Sequence, residues 1–126
     1  MAKFEAKIHW LDECESHNYP AALSYLTLLY PPQKAKEIVT TLEAARLSEF
    51  KAKDIFRASS LSLMGVSNLH VERDKKKIKK GAGLSPILLV RDTLHGKVII
   101  ADGYHRLCAV YSFDEDAVVR CKISDC

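Results

Sequence analysis

Hydrophobic and polar positions along this chain follow two periods, and the change between them divides it into a helical first half and a mixed remainder. KIHWL (7–11) reads as a short strand. YPAALSYLTLLY (19–30) carries Leu23, Leu26, Leu29 and Tyr30 at helical spacing. Pro31 and Pro32 stop that helix, and the same pair suits the first turn of the next. The second helix, 32–46, places Ala35, Ile38, Val39, Leu42 and Ala45 on one face. Ser48 is expected to cap a third helix over 49–59. SSLSLMGVSN (59–68) reads as a loop. HVERDKKKIKK (70–80) reads as a helix that stops at Gly81, with Val71 and Ile78 on one packing face.

The last third is β-rich. PILLVR (86–91) and KVIIA (97–101) flank the five-residue connection DTLHG, which predicts a hairpin. DGYHRLCAVYSF (102–113) then reads as a short helix with Leu107, Val110 and Tyr111 turned inward. DEDA (114–117) is a polar turn. VVRCKI (118–123) closes as a strand in which Val119, Cys121 and Ile123 alternate with Val118, Arg120 and Lys122. Helices followed by helix, strand, strand, helix, strand predict an α/β (α+β) domain with a small mixed sheet.

Composition narrows the classes without choosing among them. A length of 126 residues suits one domain, and 48% hydrophobic with 28% charged residues excludes a disordered chain. No apolar run approaches the roughly 18 residues that span a bilayer. MAKFEAKIHW has alternating charges and no apolar signal core, so no membrane association and a cytoplasmic location are expected. Cys14, Cys108, Cys121 and Cys126 form no CxxC pair and are expected as free thiols, with Cys108 in the core. Cys14 and His17 share a CxxH spacing but lack a second ligand pair, and neither zinc nor haem is expected.

Charge changes the picture more. The run 73–80 holds six of the nineteen basic residues and one acid, so the net +3 is one local feature. Lysine clusters bind nucleic acid through counterion release, which makes nucleic acid a candidate partner. No aromatic residue is interleaved with these lysines, so single-strand base stacking has no support.

The most informative stretch is ADGYHR (101–106), where a strand hands over to a helix. A turn needs Gly103 and uses Asp102; it does not need His105 and Arg106 in a first turn that favours acids. The unpartnered N–H groups and positive end of a helix suit a phosphate. Gly103 permits close approach, Arg106 offers a planar fork, and His105 adds a donor or moves a proton. Asp102 is either a helix cap, a base, or a ligand for Mg²⁺ shared with those phosphates. Against this stands a plain turn, with Arg106 paired to Asp114 or Glu115.

The ordered set Lys75–Lys80, Pro86–Val90, Gly103–Arg106, Ala109 and Val118–Ile123 resembles the nucleotide-binding core of the ParB/sulfiredoxin superfamily over residues 70–123. The helical segments before residue 70 lie outside that likeness. The resemblance implies binding of a nucleoside triphosphate, ATP or CTP. It assigns phosphate contacts to Gly103, Tyr104, His105 and Arg106 at the corner, and to His70, Arg73 and Lys77 on the preceding helix. Asp102, Gly103 and Arg106 also match a D-G-x-x-R corner of serine-kinase relatives. Tyr104 stands where sulfiredoxins carry their nucleophilic cysteine, and a phenol cannot replace a thiolate there. Sulfiredoxin chemistry is therefore not expected. Partition proteins follow this core with a helix-turn-helix domain; the sequence stops at Cys126, so chromosome partitioning by this chain alone is not expected.

Two readings result. One is a nucleotide-binding domain, as in a small NTPase or phosphotransferase, with Asp102 and His105 as catalytic candidates. The other is a non-catalytic module that binds nucleic acid or a protein through the basic helix 73–80.

Overall fold

The computed structural model describes residues 7–61 and 69–126. Within them the chain runs β1 (His9–Trp10), α1 (Asn18–Leu26), α2 (Pro32–Ala44), β2 (Ser48–Lys51), α3 (Ala52–Ser59) and α4 (Leu69–Lys79). It continues as β3 (Gly83–Leu84), β4 (Ile87–Asp92), β5 (Lys97–Asp102), α5 (Tyr104–Phe113) and β6 (Val118–Asp125). This is a mixed α/β fold. Residues 62–68, most of the loop expected over 59–68, lie outside the described residues; Ser59 closes α3.

The run 86–91 is apolar throughout because β4 is covered on both faces. Ile87, Leu88, Leu89 and Val90 are each at most 1% exposed. Ile87 and Leu89 face a core formed with α3, α4 and α5, through Ile55, Phe56, Val71, Ile78, Leu107 and Val110. Leu88 and Val90 face the opposite way, against Ala22 and Leu26 of α1 and Ile38, Val39 and Leu42 of α2. The period-two geometry of a strand separates the two sets. Full burial of each such side chain contributes about 1.5–3 kcal/mol.

The four-stranded sheet has the order β2-β6-β4-β5. β4 and β5 form the predicted antiparallel hairpin, with a register irregularity at Leu88/Leu89. β6 lies parallel to β4, Ile87 opposite Cys121 and Leu89 opposite Ile123, a pairing reached by crossing through α5. β1 and β3 pair separately in parallel, His9 with Gly83 and Trp10 with Leu84.

One expectation is corrected. Ser48 does not cap a helix; it begins the edge strand β2, antiparallel to β6 with Ser48 opposite Cys121 and Lys51 opposite Val118. α3 starts at Ala52 without a side-chain cap. Its first N–H groups are satisfied from a distance instead, Ala52 N donating to Ala117 O at 2.9 Å and Lys53 N to Glu115 O at 2.9 Å. Two smaller differences follow from local bonding and packing. α1 ends at Leu26 rather than Tyr30, as Leu28 and Leu29 donate to carbonyls three residues back. Tyr111 is only partly buried, beside the core rather than in it.

Lys122 is a buried polar residue that the alternation did not reserve for this task. Only 9% exposed, it donates to the Glu43 carbonyl at the end of α2 (3.0 Å) and to the Tyr19 hydroxyl of α1 (3.0 Å). It therefore joins β6 to both covering helices and places a cation at a helix C-terminus. Lys122→Met leaves the Glu43 carbonyl and the Tyr19 hydroxyl without this partner, and is expected to cost about 1–3 kcal/mol. Urea denaturation of the two proteins measures it.

Candidate functional site

The strand-to-helix corner is built as its sequence suggests, with a different cap. β5 ends at Asp102, Gly103 takes φ +106°, and α5 begins at Tyr104. Leu107 N donates to Gly103 O at 2.9 Å, the first bond of the helix. Gly103 is the N-cap residue, and no side-chain cap bond is made. Asp102 instead accepts from Arg106 one turn on, Oδ2 to Nη2 at 2.9 Å. The guanidinium folds back over the glycine: a Cβ on Gly103 would lie 2.7 Å from Arg106 Nη2 and 2.9 Å from Ile87 Cγ1. Arg106 Nε is buried with no hydrogen-bond partner.

A cleft of about 230 Å³ opens at this corner. Asp102, Gly103, His105 and Arg106 line one side, and His70, Arg73 and Lys77 of α4 line another. Seven of the eight residues assigned to the site from the sequence thus share one cleft. The two helices meet because Val71 and Ile78 bury α4 in the same core as Leu107, Cys108 and Val110 of α5. The His70 and His105 rings lie 4.9 Å apart, tilted by 38°. Tyr104 is the eighth residue, and its side chain goes elsewhere. It packs beside the core, edge-on to Phe56 at 6.4 Å, and does not line the cleft.

The third wall was not legible. Glu15, His17 and Asn18 come from the segment leading into α1, and Ser85 from the link between β3 and β4. Glu15 N donates to Ser85 Oγ at 3.0 Å, and the Ser85 hydroxyl donates to Asn18 Oδ1 at 3.1 Å. These bonds span about 70 residues of chain, so local pattern carries no sign of them. Asp74 also lines the cleft, only 9% exposed. A signal for it existed: with Val71 and Ile78 it falls at i, i+3 and i+7, a buried-face spacing inside the basic run.

The electrostatics follow from burial. Desolvation raises the Asp102 carboxyl above its ordinary range, outweighing the opposing pull of Arg106 and, more weakly, of His17 and His105. The short Asp102–Arg106 contact and the raised pKa are compatible because the pair is taken out of water. Asp74 is likewise raised by burial, against Lys77, Arg106, His105 and Arg73. His105 is lowered below 6.5, first by burial and then by His70. Cations and carboxylates are equal in number at the cleft, Arg73, Lys77 and Arg106 against Glu15, Asp74 and Asp102. Two of those carboxyls resist ionisation, and arginine does not lose its proton. The balance therefore tilts toward cations as pH falls.

A lowered histidine has a stability signature. Because the unfolded chain protonates at the higher pH, stability is lost as pH falls from above 6.5 through the folded value. The His105 imidazole is expected to titrate below 6.5 by NMR, and His70→Gln to raise its midpoint only in part, since burial remains.

Among the described residues no group of three or more His, Cys, Asp and Glu is placed to hold a metal ion. Cys14 Sγ is directed at Pro86 O, 3.5 Å away, while His17 lines the cleft. The four cysteines are free thiols, Cys108 buried in the core. Among the described residues no helix is long and apolar enough to cross a membrane.

Fold and site together define a mixed α/β domain with a polar cleft at a strand-to-helix corner. Searches of family models, curated proteins and solved structures find no match to the chain.

Proposed function

We propose that the cleft binds the phosphates of a nucleotide, as in a small NTPase or phosphotransferase. One observation carries the reading: Arg73 and Lys77 meet Arg106 at the N-terminus of α5, where Arg106 Nε is buried and lacks a partner. A phosphate over the corner that draws the guanidinium from Asp102 would give Nε the partner it lacks, and the helix end favours the added charge. The resemblance of residues 70–123 to the ParB/sulfiredoxin superfamily points to the same ligand.

Arg106 is paired, but with Asp102 of the same corner, and both line the open cleft. In this reading the phosphate takes over the guanidinium. Asp102 would then be the residue to hold Mg²⁺ accompanying the phosphates, since that ion is commonly bound through one or two carboxylates. Mg²⁺ would neutralise phosphate charge there. His105, neutral more readily than an ordinary imidazole, accepts a proton from an attacking group.

Calorimetric titration with ATP and CTP, with and without Mg²⁺, tests the proposal. Micromolar to submillimolar binding of at least one nucleotide is expected, with an upward shift of the His105 midpoint. Binding no tighter than millimolar for either would falsify it.

The alternative is a non-catalytic module acting through α4 alone. Its support is that Lys76, Lys79 and Lys80 are exposed and, among the described residues, none of them forms an ion pair with a carboxylate. On that helix an ion pair joins Lys75 to Glu72 at 3.6 Å.

A further inference from the structure

The cleft is small for a whole nucleotide. Its 230 Å³ falls below the roughly 300–1,000 Å³ of pockets that enclose a small molecule. It therefore holds the end of a ligand, and the remainder must lie on adjoining surface. Toward the segment before α1 that surface presents the Glu15 carboxylate, which repels an anion. Toward α4 it continues cationic.

The geometry of α4 makes that continuation direct. Val71, Asp74 and Ile78 are its buried positions. At about 100° per residue, Arg73, Lys76, Lys77 and Lys80 fall within one exposed arc of about 100°. Arg73 and Lys77 belong at once to this arc and to the wall of the cleft. From Arg73 to Lys80 the helix rises about 10.5 Å, so the cationic arc carries on along the helix beyond the cleft wall at Lys77.

We propose that the site takes the phosphate-bearing end of a single-stranded nucleic acid. The terminal phosphate sits at Gly103 and Arg106, and the adjoining backbone runs along Arg73, Lys77, Lys76 and Lys80. This rests on the phosphate reading of the cleft and adds the class of molecule that carries the phosphate. A duplex end brings two strands to a cleft with room for one terminus. With no aromatic side chain on the arc, recognition is by backbone charge rather than by base. An anionic lipid surface fits less well: the exposed side of α4 carries a single apolar side chain, Leu69, whereas a bilayer-seated helix needs an apolar face.

Fluorescence anisotropy with a ten-residue oligothymidylate tests it, the strand carrying a 5′-phosphate, a 3′-phosphate or neither. The full chain, the double variant Lys76→Glu/Lys80→Glu and Arg106→Ala are compared, with ATP titrated in parallel. One end phosphate is expected to tighten binding at least about tenfold, and Arg106→Ala to remove that gain. Lys76→Glu/Lys80→Glu is expected to weaken the oligonucleotide about tenfold or more and leave ATP within about twofold. Its salt slope falls by about 1.4, two lost contacts at about 0.7 each. If ATP binds and no oligonucleotide binds better, the inference fails while the phosphate reading stands. If no phosphate ligand binds, both fail. Oligonucleotide binding indifferent to the end phosphate and to Arg106→Ala means that α4 acts alone, and overturns end recognition. Binding to vesicles containing phosphatidylserine, lost in the double variant, without oligonucleotide binding, replaces nucleic acid by lipid.

Discussion

Arg106→Ala is expected to weaken nucleotide binding by about 10- to 100-fold in the calorimetric titration, the range of a lost charge-assisted hydrogen bond, about 1.5–3 kcal/mol. Arg106→Lys is expected to recover little, because an ammonium cannot reproduce a planar fork held against the helix end. The variant has a second consequence that must be separated from the first. Arg106 is the largest influence opposing the burial of the Asp102 charge, so its removal leaves a carboxylate in a poorly solvated corner. The double variant Asp102→Asn/Arg106→Ala removes that charge as well. If the single variant loses affinity and the double variant regains it, the loss came from the stranded carboxylate. If both lose it alike in titrations without Mg²⁺, Arg106 contacts the phosphate directly. Wild-type affinity in Arg106→Ala overturns the phosphate reading.

Gly103→Ala is expected to be the most damaging single-methyl change at the site. The residue sits at φ +106°, where an L side chain costs about 1–3 kcal/mol. The added carbon would also lie 2.7 Å from Arg106 Nη2 and 2.9 Å from Ile87 Cγ1. Arg106 is flexible and swings aside, breaking its bond to Asp102; Ile87, fully buried on β4 in the core it shares with α5, has little room. Overpacking of that kind adds about 1–3 kcal/mol. A total loss of about 2–6 kcal/mol is expected from urea denaturation, together with a loss of nucleotide affinity through the displaced guanidinium. Gly96→Ala provides the comparison, since φ is +63° there and nothing lies within 4 Å of the added carbon. That variant carries the backbone cost alone. Equal losses at the two positions would show that the crowding at Gly103 contributes nothing.

The corner was readable because its requirements are local. A glycine at positive φ, an arginine one turn on and an apolar helix behind them lie within eleven residues, 103–113. The meeting of His70, Arg73 and Lys77 with that corner was anticipated from the ordered resemblance. The structure accounts for it through Val71 and Ile78, which share a core with Leu107 and Val110. Tyr104 shows the limit of assigning a motif whole. Neighbouring positions of a helix point about 100° apart, so a residue beside Gly103 in sequence turns its ring toward Phe56 instead of the cleft. Ser48 shows another limit. A serine before an amphipathic run is a sound cap signal, but the pairing of residues 48–51 with β6, some seventy residues away, takes them into the sheet.

By itself the sequence determined the mixed α/β class, the hairpin, and the local frame of the corner, a glycine turn leading from a strand into a helix. These follow from period, turn residues and side-chain type, which are properties of neighbouring positions. Only the tertiary structure decided that Lys122 fastens α1 and α2 to the sheet, and that Glu15, His17, Asn18 and Ser85 close the cleft. It also decided that Asp74 and Asp102 stand among cations with their carboxyls raised by burial. Those are consequences of desolvation and of contacts between distant segments, and neither exists until the chain has folded.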